Sequence, residues 1–493
     1  MKPYVLAYDF GTSGAKCVLV TAEGKLLSSA TAGYPLYTDG GPNWAEQAPE
    51  DYWQAVCRTT KEVLTGIDPA AVAGIAFGTM WKGIIPIDKH GNVLRRAILW
   101  MDGRASSQTQ KLIARFGVLP GPVDYWSKLL WLRENEPEIL ENAEWVLETN
   151  AYLKWRATGE LTVDISNNYA HSFDPKLDAF YEELFAFMDI PREKFPRYVK
   201  AWDLVGRVTE QAATELGVEP GTPVFGGNND FQGVATGAGC SGMGDVHAYF
   251  GSSGWIGIIV PHEDTCATAP LAPDRSVCTA GMKAVGLSQN WMVRNLYADE
   301  YAQMGDRVFS LIDQDAAKIP AGSEGLMATP WLYGEYYPHG DLNTGGCFLN
   351  LRYHHTRSHM VRAMMESICY HLKQRLQWRC ENKKSPWPTT INAVGGGACS
   401  DVWMQILSDV LNVPIRVPEN PRHAGALGTA YNAIIGLGLF RDDTELAKKL
   451  PILRTYTPDP AAVAAYEKYY GVYTQLYKTL KPISDQLNAI SPE

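Results

Sequence analysis

The stretch that decides the fold is Tyr8-Asp9-Phe10-Gly11-Thr12-Ser13-Gly14. A short apolar run precedes it and residues 17–20 read as a second strand, so the stretch forms the tip of a hairpin. Glycines let a ligand approach the backbone closely, and successive N–H groups with small hydroxyls make a concave anion site. An acid beside that site would repel a bare phosphate unless a metal ion stood between them. The stretch is therefore either a phosphate loop for a magnesium nucleotide or a tight hairpin whose hydroxyls satisfy the turn.

The same pattern returns about half a chain later, as Tyr249-Phe250-Gly251-Ser252-Ser253-Gly254, followed by an apolar run over residues 256–260. Two copies of a strand–turn–strand unit predict a duplicated fold. Where the first copy has Asp9, the second has Tyr249. Both copies keep the phosphate-binding backbone, and only the first keeps an acid.

Composition excludes several classes of function. The chain has 493 residues, enough for two or more domains, and its 46% hydrophobic and 20% charged content is typical of globular proteins. A formal net charge of -10 argues against a nucleic-acid or anionic-membrane partner. No stretch approaches the roughly 20 apolar residues of a membrane span. Nine cysteines without a CxxC pair suit reduced thiols, so a cytoplasmic protein is expected.

Strands alternate with helical patterns along the chain, which predicts an α/β protein. Helices are expected over residues 105–116, 139–145 and 359–383, and an amphipathic helix over the tail from 458 to 493. A strand at 390–394, the turn Gly395-Gly396-Gly397 and a helix at 401–411 would let a nucleotide lie across the turn, facing the helix N-terminus. The alternative is a purely structural joint.

Together these motifs resemble those of the FGGY carbohydrate kinases, over residues 9–439. The segments that carry the family's two signatures are 128–135, 346–348, 359–360 and 363–366. Two positions depart from the pattern: Tyr125 stands where a small residue is usual, and Asn350 replaces a glycine. The resemblance implies two actin-like (ribonuclease H-like) ATPase lobes with a cleft between them. The N-terminal lobe would span residues 1–243 and the C-terminal lobe 244–493, with the C-terminal helix able to dock back.

Within the family, the xylulokinase branch is the most similar. The segments that match it are 44–47, 98–104, Tyr333-Gly334-Glu335 and Pro338-His339. One departure concerns the sugar loop, where Trp81-Lys82-Gly83 stands in place of Met-His-Gly. The resemblance implies an ATP-dependent kinase of a small sugar, with a ketopentose such as xylulose first. Ribulose, fuculose, gluconate and glycerol remain alternatives, and a non-kinase actin-like conformational ATPase is the rival from another class.

The resemblance also implies roles for individual residues. Asp230, in the cluster Gly226-Gly227-Asn228-Asn229-Asp230, matches the family's catalytic aspartate and would act as general base and metal ligand; its alternative role is to cap the following helix. Asp9 would hold Mg²⁺, or serve only as a turn residue. The residues implied to line the sugar site are Trp81, Lys82, Asp230 and Phe231. The residues implied to bind ATP are Gly11, Thr12, Ser13, Gly251, Ser252, Ser253, Gly286, Gly396, Gly397 and Ser400.

Three points stay open or are set aside at this stage. Lys82 is either a sugar ligand or a surface lysine, and Asp102 with Arg104 either forms a structural ion pair or helps to position substrate. A zinc site at His354, His355 and His359 is not expected, because no acid or cysteine lies at ligand spacing. The expected partners are the sugar and ATP, with a homodimer as a further expectation and no nucleic acid or membrane.

Overall fold

A computed structural model describes residues 2–41, 43–117, 124–172, 174–264, 268–335, 339–341, 343–383 and 385–490. Pro338 of the xylulokinase-like pattern lies outside these residues. The chain forms two compact units. The first unit comprises Met1–Gly237, Ala269–Ser276 and Gly425–Leu446, and the second Ala238–Thr268, Val277–Ala424 and Ala447–Glu493. The lobe boundary between residues 243 and 244 stays a prediction.

Most elements of the first unit precede residue 238. Its strands are β1 (Tyr4–Gly11), β2 (Gly14–Thr21), β3 (Leu26–Gly33), β4 (Glu46–Gln47), β5 (Val72–Thr79), β6 (Ile85–Ile87), β7 (Ala97–Ile98), β8 (Trp145–Leu147), β9 (Thr162–Asp164), β10 (Arg197–Val199), β11 (Leu204–Arg207), β12 (Pro223–Phe225) and β13 (Asn228–Asn229). Its helices are α1 (Pro49–Val63), α2 (Ser106–Phe116), α3 (Tyr125–Asn135), α4 (Pro137–Asn142), α5 (Thr149–Thr158), α6 (Pro175–Met188), α7 (Glu210–Leu216) and α8 (Asp230–Gly237).

The rest of the chain adds nine strands and nine helices within the described residues. The strands are β14 (Val246–Phe250), β15 (Gly254–Pro261), β16 (Ala269–Ala272), β17 (Arg275–Met282), β18 (Met327–Ala328), β19 (Phe348–Leu349), β20 (Ile391–Val394), β21 (Ile415–Pro418) and β22 (Ile452–Tyr456). The helices are α9 (Gly286–Leu296), α10 (Ala298–Met304), α11 (Val308–Ala317), α12 (Arg357–Lys383), α13 (Asp401–Leu411), α14 (Ala424–Gly436), α15 (Asp443–Lys449), α16 (Pro460–Tyr473) and α17 (Leu476–Ile490).

The opening stretch forms the predicted hairpin. Strand β1 pairs antiparallel with β2 and closes with Gly11 opposite Gly14. Gly14 is required where β2 begins to pair with β3, because a Cβ there would lie 2.7 Å from the Ala32 carbonyl oxygen. The apolar residues of β1 and β2 are buried, which ties the loop to the core of the first unit.

The predicted duplication is confirmed, because the described residues form two seven-stranded sheets that share a strand pattern. The first sheet has the order β3-β2-β1-β5-β12-β11 and the second contains β17-β15-β14-β20-β21-β22. In both, the hairpin is antiparallel (β1–β2 and β14–β15), the next two pairings are parallel, and the last is antiparallel. Helices alternate with these strands, which confirms the α/β fold.

Two predicted helices are wrong in their bounds. The pattern over residues 139–145 ends as a helix at Asn142, and Trp145 instead opens strand β8. The tail is two helices, α16 and α17, rather than one. Gly471 and the branched residues Val472 and Thr474 lower helix propensity at that break. Among the described residues, no helix is both long and apolar enough to cross a membrane.

Two helices of the first unit, α8 and α14, cross at glycines. A Cβ on Gly428 would lie 1.9 Å from the Gly233 carbonyl oxygen, so the backbones are in direct contact. Asn432 strengthens this packing by donating to Asn228 Oδ1 at 2.9 Å. The crossing fixes helix α8, and with it Asp230 at the helix start.

Candidate active site

Asp9 and Asp230 lie where adjacent parallel strands of the first unit end. Strand β1 pairs in parallel with β5 so that Asp9 lies opposite Gly78, and β13 pairs with β5 so that Asn229 lies opposite Thr79. Because the carboxyl ends of parallel strands meet at one edge of a sheet, Asp9 and Asp230 face the same region. Ligands of α/β sheets bind at this edge.

Asp9 influences the ionisation of Asp230. Burial and, to a lesser extent, repulsion from the Asp9 carboxylate together raise the pKa of Asp230 to about 7. Burial also raises the pKa of Asp9, against the attraction of Lys16. Two carboxyls with raised pKa values at one sheet edge are typical of functional sites. The Asp230 side chain caps its own helix only weakly, accepting from the Phe231 N–H at 3.1 Å.

A chain of buried hydrogen bonds positions Asp230. Asn229 accepts from the Gln232 N–H at 2.9 Å and so performs the helix-capping role that Asp230 could have taken. The Asn229 N–H donates to Ser166 Oγ at 2.7 Å, and the Ser166 hydroxyl donates in turn to Asp164. The capping function therefore rests on Asn229, which leaves the carboxylate of Asp230 available for chemistry.

The loop Trp81-Lys82-Gly83 follows β5 at the same edge. The Trp81 and Phe231 rings meet edge to face with centroids 4.8 Å apart. Lys82 Nζ pairs with Asp124 Oδ2 at 2.8 Å and lies 4.1 Å from the Trp81 ring centroid. Lys82 is therefore not a free surface lysine. Its backbone φ of 60° is unusual for a non-glycine residue.

Lys128 contacts the backbone of this loop. Its buried ammonium donates to the Leu99 and Lys82 carbonyl oxygens at 2.6 and 3.1 Å. Burial and the neighbouring Lys82 charge lower the pKa of Lys128 to about 7. The backbone of the loop is thus held by a lysine from helix α3.

The first predicted phosphate loop, Gly11-Thr12-Ser13, has Gly11 and Ser13 exposed. Three side chains brace it from outside. Trp100 Nε1 donates to Thr12 Oγ1 at 3.0 Å, Gln47 Nε2 donates to the Thr12 carbonyl at 2.7 Å, and Tyr34 donates to the Gly11 carbonyl at 2.5 Å. These contacts hold the loop while Gly11 and Ser13 stay exposed.

The second unit brings together its own predicted nucleotide residues. The Gly286 N–H donates to the Gly251 carbonyl at 2.8 Å, and a Cβ on Gly286 would lie 2.7 Å from that oxygen. The glycine turn packs beside them, since a Cβ on Gly397 would lie 2.9 Å from the Phe250 side chain. Ser400 caps helix α13 at the Trp403 N–H and donates to Asp313 Oδ1 at 2.7 Å. Gly251, Ser252, Gly286 and the turn therefore form one cluster.

Asp102 and Arg104 are paired with each other in the structure. Asp102 is fully buried and accepts from the Arg104 guanidinium and from the Ala45 N–H, and Arg104 also pairs with Glu46. The two residues therefore form an interior ion pair. At the histidine cluster, the described residues include no group of three or more His, Cys, Asp or Glu able to hold a metal ion.

Sequence reasoning missed three residues at the edge that carries Asp9 and Asp230: Trp100, Glu148 and Tyr169. Trp100 lies within the segment 98–104, and its spacing from Thr12 gives no sign of the contact. Glu148 lies directly after residues 139–145, and reading these as helix hid the strand β8 that carries Glu148 to the loop. A carboxylate between a buried strand and a helix start was the signal available.

Two family models match most of the chain. A family model for the N-terminal domain of FGGY carbohydrate kinases matches residues 4–237, and one for the C-terminal domain matches residues 250–437. The chain belongs to the FGGY family of carbohydrate kinases. This kinase is therefore a sugar phosphotransferase, and the resemblance stated from the sequence is confirmed.

Individual relatives of the kinase cover its full length. It is 28% identical to a xylulose kinase of Staphylococcus epidermidis over 100% of both chains. It is 26% identical to a gluconokinase of Bacillus subtilis, over 99% of this chain and 96% of the relative. The crystal structure of a ligand-bound xylulose kinase from Lactobacillus acidophilus is similar with a TM-score of 0.84 and 25% identity, over 98% of this chain and 99% of that one.

Proposed function

We propose that this kinase transfers the γ-phosphoryl group of ATP to a hydroxyl of a ketopentose, with xylulose as the first candidate. The observation that carries the proposal is Asp230, placed at the sheet edge beside the Trp81–Phe231 ring pair. An aromatic wall next to a carboxylate suits a sugar, which presents C–H surfaces and hydroxyls together. The full-length similarity to xylulose kinases supports the same substrate.

In the proposed mechanism, Asp230 acts as the general base. Its carboxylate accepts the proton of the attacking sugar hydroxyl as the oxygen bonds to the γ-phosphorus, and the bond to the bridging oxygen of ADP breaks. Trp81, Lys82 and Phe231 hold the sugar so that the hydroxyl is in line with that bond. Asn229 and Ser166 keep Asp230 in position.

The donor set also fits a magnesium ion. Mg²⁺ is commonly held by one or two carboxylates together with substrate phosphates, and Asp9 and Asp230 offer two carboxylates at one edge. When bound, the ion would neutralise phosphate charge. Asp9 is the principal proposed ligand, and Asp230 contributes its charge.

The glycine turns are proposed to bind the phosphates and adenosine of ATP. In the first unit the residues are Gly11, Thr12 and Ser13, whose N–H groups and hydroxyls suit phosphate oxygens. In the second unit they are Gly251, Ser252, Ser253 and Gly286, with Gly396, Gly397 and Ser400 for the nucleoside. The clustering of Gly251 with Gly286 supports a shared role.

ADP production in a coupled assay tests the function, with a panel of ketoses, aldoses, polyols and sugar acids. We expect D-xylulose to raise turnover far above the rate without sugar. If no sugar raises turnover, the kinase assignment to small sugars fails. Asp230→Asn should lower kcat by at least about a thousandfold while ATP still binds, because it removes the base and leaves the fold intact.

Two further expectations stay predictions. The kinase is expected in the cytoplasm and as a homodimer. Cell fractionation and sedimentation of the purified protein test them.

A further inference from the structure

Glu148 carries a buried carboxylate that the fold does not use. The residue is only 4% exposed, and neither oxygen completes a hydrogen bond with any residue that the structure describes. Burial raises the pKa of Glu148 well above its usual value, against the attraction of the Lys128 charge. A buried polar group without a partner costs free energy, so its presence requires a reason.

The position of Glu148 directs it at the sugar loop. Strand β8 pairs antiparallel with β6 so that Leu147 lies opposite Ile85, and Glu148 follows at the end that meets the loop. Although Glu148 occupies the capping position of helix α5, its side chain makes no capping hydrogen bond. A Cβ on Gly83 would lie 3.7 Å from Glu148 Oε2. The Glu148 carboxylate therefore lies next to Gly83 of the Trp81-Lys82-Gly83 loop.

Tyr169 carries a second buried polar group without a partner, its phenol hydroxyl, near Glu148. Its ring stacks on Tyr125 with centroids 4.9 Å apart, and its carbonyl accepts from Trp126 Nε1 at 2.9 Å. Its buried hydroxyl has no hydrogen-bond partner in the described part of the chain. Burial raises the pKa of this phenol, and repulsion from the surrounding carboxylates raises it further. The carboxylates are Glu148, Asp124, Asp164 and Asp230.

The charges around these two groups decide what they could bind. Lys82 is neutralised by Asp124, and the Lys128 ammonium is engaged by two backbone carbonyls. Glu148, Asp230 and the Tyr169 hydroxyl remain as the groups able to meet a ligand. They offer hydroxyl-binding donors and acceptors beside four carboxyl groups, Glu148, Asp124, Asp164 and Asp230, where an added negative charge is disfavoured. A neutral polyhydroxylated molecule fits them, and a carboxylate ligand would be repelled.

We propose that Glu148 and Tyr169 bind hydroxyl groups of a neutral sugar next to the Trp81-Lys82-Gly83 loop and exclude sugar acids from this site. This inference rests on the proposed function and adds the substrate class. Glu148 forms a hydrogen bond with one sugar hydroxyl, and the Tyr169 hydroxyl donates a hydrogen bond to another. Both groups are satisfied when the sugar binds, which explains why the unliganded fold leaves them without partners.

The test compares D-xylulose with D-gluconate in the full-length enzyme. Glu148→Leu should raise the KM for D-xylulose at least about tenfold and change the KM for ATP less than about twofold, since a lost hydrogen bond affects the sugar alone. Glu148→Gln keeps the hydrogen-bonding atoms and removes the charge. It should hold the KM for D-xylulose within about threefold and lower the xylulose-to-gluconate ratio of kcat/KM at least about tenfold. Tyr169→Phe should raise the KM for D-xylulose about fivefold, because it removes one donor.

Thermal unfolding gives a second readout that a structural role would not produce. Without sugar, Glu148→Leu should raise Tm, because it removes a buried unsatisfied carboxylate. D-xylulose should then raise the Tm of this variant less than that of the wild type. A lower Tm without sugar, together with a wild-type response to sugar, would assign Glu148 to the fold and overturn the proposal.

The outcomes separate this inference from the proposed function. If the wild type phosphorylates D-xylulose while all three variants keep its sugar KM and its xylulose-to-gluconate ratio, the inference is overturned and the function stands. If D-gluconate is the better substrate of the wild type, the inference is overturned as well. If no neutral sugar raises wild-type turnover, the proposed function fails and the inference falls with it.

Discussion

Gly425, near the start of helix α14, packs directly against the carboxylate of Asp9. A Cβ at position 425 would lie 2.5 Å from Asp9 Oδ2 and 2.8 Å from its Cγ, so only glycine fits there. The contact joins the proposed metal ligand on strand β1 to a helix that crosses α8 at Gly233 and Gly428. The position of Asp9 thus depends on a residue far along the chain.

Gly425→Ala should lower kcat at least about tenfold by displacing the Asp9 carboxylate, since small misplacements at a reacting centre are costly. Steady-state kinetics at saturating D-xylulose and ATP measure the effect. Gly471→Ala is the matched control, because Gly471 also lies in a helix and has nothing within 4 Å of a Cβ. The control should keep the wild-type kcat. A Gly425→Ala enzyme with wild-type kcat and KM would mean that the Asp9 position does not matter for turnover.

Contacts of this kind mark the limit of what the sequence predicts. The two hairpins, the α/β alternation and the helix over residues 401–411 follow from local patterns of apolar residues and glycines, and the structure has all of them. The echo of the opening stretch at Tyr249 was enough to predict the duplicated sheet. Each of these features depends on residues close together in the chain.

The remaining parts of the site depend on residues that meet only through the fold. Trp100 binds Thr12 across 88 positions, and no periodicity in either segment indicates that pairing. The position of Glu148 was not predicted, because the apolar segment before it follows a short helix and its pattern suggests more helix. The pairing of this segment with β6 makes it strand β8. Tertiary pairing overrides local propensity at such places.

Trp100→Phe should weaken ATP binding without affecting the sugar. The substitution keeps an aromatic ring and removes the indole N–H that donates to Thr12 Oγ1 at 3.0 Å. A net hydrogen bond is worth about 1 kcal/mol, so the KM for ATP should rise about fivefold. The KM for D-xylulose should stay within twofold, roughly the error of such assays.

Trp387→Phe serves as the control for this change. It also removes an indole hydrogen bond, from Trp387 Nε1 to the Leu411 carbonyl, at an exposed position between helix α12 and strand β20. Its kinetics should match the wild type. A rise in the KM for D-xylulose alone with Trp100→Phe would show that Trp100 contacts the sugar instead of bracing the phosphate loop.

Asp102→Asn should destabilise the first unit. The carboxylate accepts hydrogen bonds from Ala45 and Arg104 and is fully buried, so the amide would leave a buried guanidinium with only Glu46 as a charged partner. Breaking a buried ion pair typically costs about 3 kcal/mol. Urea unfolding followed by circular dichroism measures the loss.

The exposed pair of Asp39 with Arg96 provides the control for Asp102→Asn. Its side chains are 71% and 41% exposed, and Asp39→Asn should change the unfolding free energy by less than about 0.5 kcal/mol. Equal effects of the two substitutions would mean that burial of the Asp102 pair contributes nothing to stability.

His247 should make the second unit sensitive to mild acid. The residue is fully buried on strand β14, where its Nε2 accepts from Trp255 Nε1 at 3.1 Å, and burial lowers the pKa of His247 to about 3. The unfolded chain binds a proton on this histidine below about pH 6.5, whereas the folded chain does not until about pH 3. Stability is therefore lost as the pH falls through this window. His247→Gln keeps an acceptor for Trp255 and cannot titrate, so between pH 7 and 5 it should lose about 2 kcal/mol less than the wild type.

Urea unfolding at pH 7 and pH 5 separates burial of the imidazole from its hydrogen bond. Trp255→Phe removes the indole donor and leaves His247 buried, so it should lower stability at both pH values and keep the wild-type difference between them. If His247→Gln shows the same acid-induced loss as the wild type, the imidazole is protonated without cost in the folded state. If Trp255→Phe abolishes the difference instead, the indole hydrogen bond, and not burial, holds the histidine neutral.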